Sequence, residues 1–216
     1  MDEMRVERAN SLTALPAVVE AWGLRGAQPV VVLAGGAAAM DGESGRSARA
    51  AVEGAILPAV IEARAALVTG GTDAGVMRIA GEARRAAGAT FPLIGVVPED
   101  LVTLPQGAAG AAPGSEAGTG TPGSTERPSG HTAIVQPDHT HLLAVPGDRW
   151  GAETSWMFAL ADTLAGGRAA VTVVLNGEVV NEIDLTKFTD AKLNPDGSEV
   201  PTWLQGQPWS GLPKQG

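Results

Sequence analysis

Short apolar runs that fail to alternate with polar residues, each stopped by glycine or proline, constrain this chain more than any other feature. They cover residues 29–33, 65–69, 92–97, 142–145 and 171–175. A strand with one wet face alternates. A strand without alternation is buried on both faces, and that is how parallel sheets read. Helix-forming stretches separate these runs, at 16–24, 47–64, 76–87 and from Glu153 to Leu164. Gly88 and the pair Gly166-Gly167 close two of them, and Pro58 is expected to kink the second. The alternation predicts an α/β, Rossmann-like three-layer fold, with a mostly parallel central sheet flanked by helices.

The rest of the chain reads differently. Residues 1–11 are polar and are expected to fray. Residues 105–130 are almost wholly Gly, Ala, Pro, Ser and Thr. Such a segment buries too little surface to offset its ordering entropy, and it reads as a disordered insert within one domain over 1–190. Residues 191–216 read as an irregular tail, with Trp203 and Trp209 as anchors on the domain surface.

Composition excludes several function classes. A net charge of −9 argues against general nucleic-acid binding and against adhesion to an anionic membrane. With no cysteine, thiolate metal sites and cysteine nucleophiles are excluded. No apolar stretch nears the roughly 20 residues of a membrane helix, and the N-terminus is unlike a signal peptide. The expectation is a cytoplasmic protein without direct membrane insertion.

Ligands on parallel sheets bind outside the carboxyl ends of the strands. Three glycine-rich turns fall there. Gly35-Gly36 follows the first strand, and Gly70 to Gly75, with Thr72, Asp73 and then Val76, follows the second. Such turns let backbone amides approach an anion, while tight strand-to-helix turns also need glycine for their own sake. Neither turn carries a dinucleotide or P-loop fingerprint. The third turn holds Gly147, Asp148, Arg149, Trp150, Gly151 and Glu153. Arg149 is suited to phosphate, Trp150 to stacking, and Glu153 to ribose hydroxyls or acid–base chemistry. Equally, these are a surface arginine, a core tryptophan and a glutamate complementing a helix dipole. His139 and His141 could share a metal, but no third ligand is evident, and hydrogen bonds to loop backbone are the plainer reading. No metal and no cofactor are expected.

Six segments in order carry a resemblance: 33–37, 68–77, 81–83, 94–98, 137–141 and 151–153. Together they resemble the N-terminal homology region of the TRPM channels, and so the wider SLOG superfamily, which includes the LOG phosphoribohydrolases. The chain departs from the channels where Glu99-Asp100 follows Pro98, and from LOG enzymes where Asp148 replaces a glycine. The resemblance implies a sensor for a nucleotide-derived small molecule such as ADP-ribose or another NAD-derived nucleotide. The alternative it implies is a nucleoside monophosphate phosphoribohydrolase with Glu153 as its catalytic residue. The implied ligand contacts are Gly35, Gly36, Gly70, Gly71, Thr72, Gly75, Val76, Gly147, Asp148, Arg149, Gly151 and Glu153. Beyond the ligand, the expected partner is a second copy of the chain or an effector protein.

Overall fold

The computed structural model describes residues 3–24, 26–35, 42–105, 132–168, 170–176 and 178–184. The expected insert (beyond Pro105), the tail with Trp203 and Trp209, and Gly36 lie outside them. The strands are β1 (Arg5–Arg8), β2 (Val30–Gly35), β3 (Ala66–Thr69), β4 (Leu93–Pro98), β5 (Val102–Thr103), β6 (Ala133–Ile134), β7 (His141–Val145), β8 (Ala170–Asn176) and β9 (Glu178–Asp184). The helices are α1 (Leu15–Ala21), α2 (Gly42–Ala51), α3 (Leu57–Ala63), α4 (Gly75–Ala86) and α5 (Thr154–Ala165). Seven strands form one sheet in the order β1-β7-β4-β3-β2-β8-β9. All neighbours in it pair parallel except β8 and β9, which are antiparallel. The Rossmann-like α/β expectation therefore holds.

The non-alternating runs are buried on both faces, as parallel pairing requires. Val31 and Leu33 of β2 point to one face, where they meet Val52, Val60, Val76 and Ala80 from the α2–α4 side. Val30 and Val32 point to the other, against Leu15 and Val19 of α1 and Leu160 and Leu164 of α5. So α2, α3 and α4 cover one face, and α1 and α5 cover the opposite one. The short parallel pair β5–β6 and its neighbours add a third cluster, Val97, Val102, Val135, Leu142 and Ala144, towards the β1 edge.

Two details depart from expectation. Residues 5–8 do not fray. They form β1, in parallel register with β7 from Arg5 opposite His141 to Arg8 opposite Ala144. The strand has one apolar residue, Val6, so it lacks the buried-run signal. Backbone pairing holds it, together with the hydrogen bond from Arg5 Nη1 to the Trp22 carbonyl at 2.7 Å and the Arg8–Glu99 ion pair at 2.7 Å. Second, the expected kink at Pro58 takes the form of a π-helical turn, Val52–Ile56, between α2 and α3. The Leu57 amide reaches back five residues to the Val52 carbonyl, and α3 restarts with Pro58 in its first turn. Proline lacks the N–H that a regular turn needs, and the widened turn absorbs the fault.

Gly81, in the middle of α4, is required by packing. A Cβ there would collide with the side-chain amide of Gln136, which crosses the helix. On propensity alone Gly81→Ala should stabilise α4 by about 1 kcal/mol. We expect a net loss of roughly 1–3 kcal/mol in chemical denaturation, because overpacking outweighs propensity. The loss should shrink when Gln136→Ala is added. A stabilised single variant would show that Gln136 moves aside freely.

Candidate functional site

Because the sheet is parallel, the segments following β2, β3 and β7 leave from one edge. At the end of β2, a Cβ on Gly35 would collide with the Leu175 carbonyl and come within 2.8 Å of a Val76 methyl. Glycine is thus needed there for packing, whatever else its amide does. In the next turn, Gly71 has φ +74°, its N–H donates to Thr69 Oγ1 at 3.2 Å, and its carbonyl accepts from Gln136 N at 3.0 Å. The Asp73 N–H donates to the Ile134 carbonyl at 2.7 Å, and Thr72, buried, makes a β-bridge with Val135. The amides of Gly71 and Asp73 are therefore engaged within the protein. At Gly70 there is room for a Cβ, with the Met77 side chain 3.8 Å away.

A buried polar network locks this turn. His139 Nδ1 faces two acceptors, the Gln136 carbonyl at 3.2 Å and Gln136 Oε1 at 3.0 Å, so Nδ1 carries the proton. His139 Nε2 then accepts from the Thr69 hydroxyl at 2.8 Å. Gln136 in turn donates from Nε2 to Asp138 at 2.9 Å and accepts from the Asp138 N–H at 2.8 Å. His141 turns elsewhere, bonding Thr140 Oγ1 at 2.7 Å and lying 5.1 Å from the Trp22 ring, centroid to centroid. The two imidazoles do not converge, and among the described residues no group of three or more metal-ligating side chains comes together.

The turn after β7 is exposed at Asp148, Arg149 and Trp150. A Cβ on Gly147 would lie 2.9 Å from Ala152 and 3.0 Å from Pro98, and Gly151 has φ +91°. Glu153, at the start of α5, accepts the Gly151 N–H on its own carboxylate at 2.8 Å. Its carboxylate thus bonds its own loop and makes no side-chain cap on α5.

A cleft at this edge lies between α2 and the N-terminal turns of α4. It is about 280 Å³ in volume, and it is lined by Gly42, Gly45, Arg46 and Arg49 from α2 and by Gly75, Arg78 and Ile79 from α4. Of the described residues expected from sequence, it contains only Gly75; Arg149 and Glu153 are not among the residues lining it. Arg49 Nη1 meets Glu53 at 3.2 Å and Nη2 meets Glu82 at 2.6 Å, so α2 is tied to α4. These hydrogen bonds push the Arg49 pKa up from its ordinary value. Arg78 Nε pairs with Asp73 at 3.0 Å, and its Nη2 donates to the Asp73 carbonyl. Arg46 is exposed and has no acidic partner among the described residues. The three arginines were missed in the sequence, although a signal exists. Acids are favoured near a helix N-terminus and bases are not. Arg46 and Arg78 stand within the first two turns of α2 and α4, whereas Arg49 is in the last turn of α2.

The buried network makes stability acid-sensitive. Burial, opposed by the Gln136 backbone acceptor and Asp138, pushes His139 down to about 4 from 6.5. Burial, then the charges of Arg5 and Arg84, pushes His141 down to about 4 as well. Between pH 6.5 and 4 the unfolded chain therefore binds more protons than the folded one. Stability contributed by the neutral rings is present above pH 6.5 and is lost as pH falls towards 4. For the fully buried His139 the loss is on the order of 3 kcal/mol. Melting temperature should fall across this window, and His139→Asn, less stable at pH 7, should show a flatter profile. Equal slopes for both proteins would remove His139 as the cause.

No curated protein matches the sequence. Residues 28–193 match the family described as SLOG in TRPM, prokaryote. The match spans β2 to beyond β9 and takes in the whole of the arginine cleft. With most of its length matched, the chain belongs to the prokaryotic SLOG in TRPM family.

Proposed function

We propose that this protein is a binding domain that senses a nucleotide-derived small molecule, with the ligand's phosphate in the cleft between α2 and α4. The observation that carries the reading is three guanidinium groups around one cleft in a chain of net charge −9, with no carboxylate among the described lining residues. Cations gathered against the overall charge, two of them near helix starts where bases are disfavoured, are offset by a bound anion. Family membership supports a nucleotide-related ligand-binding role. In the proposed complex, Arg49 and Arg78 present their remaining N–H groups to phosphate oxygens. The turn after β7 lies two strands from β3, roughly 10 Å along the sheet edge. That distance leaves Arg149, Trp150 and Glu153 as outer contacts to the sugar of a nucleotide.

Thermal shift with ADP-ribose, NAD and AMP tests this. A ligand at about a hundred times its Kd adds about 2.7 kcal/mol, roughly 5–10 °C for a chain this size. Arg78→Ala should weaken binding roughly ten- to hundredfold, as expected for a lost charge-assisted hydrogen bond. The same change should alter stability by less than about 1 kcal/mol, the worth of an exposed ion pair. No shift with any nucleotide, for folded protein, would overturn the proposal.

A further inference from the structure

Resting on that reading, we infer that the cleft selects its ligand by a terminal phosphate and does not read the base. The side chains around it are three arginines and Ile79, with glycines between them. Telling one base from another takes paired donors and acceptors such as Asn, Gln, Asp or Ser, and among the described residues none of these lines the cleft. Nor, among the described residues, does any aromatic ring line it as a stacking platform. A volume of about 280 Å³ stands at the small end of ligand sites, which suits the phosphate end of a ligand with the remainder projecting out of the cleft.

The guanidinium groups match a terminal phosphate better than a phosphodiester. A terminal phosphate offers three strong acceptor oxygens and close to two negative charges at neutral pH. A phosphodiester has a single charge and fewer free oxygens. Arg49 is held by Glu53 and Glu82, and Arg78 by the side chain and carbonyl of Asp73, so both forks stand oriented before a ligand arrives. Orientation in advance lowers the entropy lost on binding. Arg46 is exposed, and none of the described residues holds its fork, which turns to the incoming phosphate. Arg46 is therefore the anchor, and the other two arginines set the position of the phosphate.

Calorimetry on the full chain with AMP, GMP, ribose 5-phosphate, ADP-ribose and adenosine tests the inference. AMP, GMP and ribose 5-phosphate should bind within roughly threefold of one another, ADP-ribose roughly tenfold more weakly, and adenosine not at all. Arg46→Ala should weaken the three monophosphates roughly ten- to hundredfold. Its melting temperature should stay unchanged, since Arg46 is exposed and has no acidic partner among the described residues. Binding of AMP without GMP or ribose 5-phosphate, or ADP-ribose binding more tightly than AMP, would overturn the inference and leave the nucleotide reading standing. Unchanged affinity in Arg46→Ala would overturn the placement of the phosphate. No binding by any phosphate compound would remove both the inference and the reading beneath it.

Discussion

Parallel pairing leaves β2, β3, β4 and β7 without a wet face, and the rest of the molecule follows from that. Leu33, Leu67, Val68, Leu93, Ile94, Leu142 and Leu143 are fully buried, so helices must cover the sheet on both sides. Each crossover returns the chain to the same end of the sheet before the next strand begins. The helices α2 and α4 therefore both start at the carboxyl edge, and the cleft between them is a product of connectivity. A charge on β2 or β3 would face a hydrocarbon cluster on either side.

Close backbone approach is the second constraint. Gly35 passes the Leu175 carbonyl and Val76, Gly71 lies under Val97 and beside Gly95, and Gly81 lies under Gln136. These contacts bring α4 and the turn before it tight against the sheet. The network of Thr69, Gln136 and His139 then fixes that turn from behind, with each polar atom satisfied by a neighbour. Asp73 sits in the turn so fixed, bonded through its amide to Ile134 and through its carboxylate to Arg78. The position of a cleft arginine is thus traceable to a buried histidine through a chain of hydrogen bonds.

The electrostatic layout is local. The chain is acidic as a whole, yet the charged side chains among the described residues lining its cleft are all arginines, with the acids one step behind them. Glu53, Glu82 and Asp73 hold the guanidinium groups of Arg49 and Arg78 in place and lower the cost of gathering like charges before a ligand arrives. The turn after β7 is arranged differently. Its glutamate is bonded to its own loop, and its arginine stands in solvent.

By itself the sequence determined the inner strands and the class of fold, because burial on both faces leaves a local mark, an apolar run without alternation. It also determined where helices begin after β3 and β7, since glycine with a positive φ is legible residue by residue. It did not reveal β1, whose partners Thr140 and His141 are remote in the chain and whose single apolar residue gives no pattern. Nor did it reveal the cleft. Arg46 and Arg49 belong to one helix and Arg78 to another, and they share a wall only because β2 and β3 are neighbours in the sheet. Whether a glycine turn is open to a ligand or filled by packing was likewise settled by tertiary structure. Gly71 and Gly70 look alike in sequence, but one amide is bonded to Thr69 and one Cβ position is open, a difference set by side chains that arrive from elsewhere in the fold.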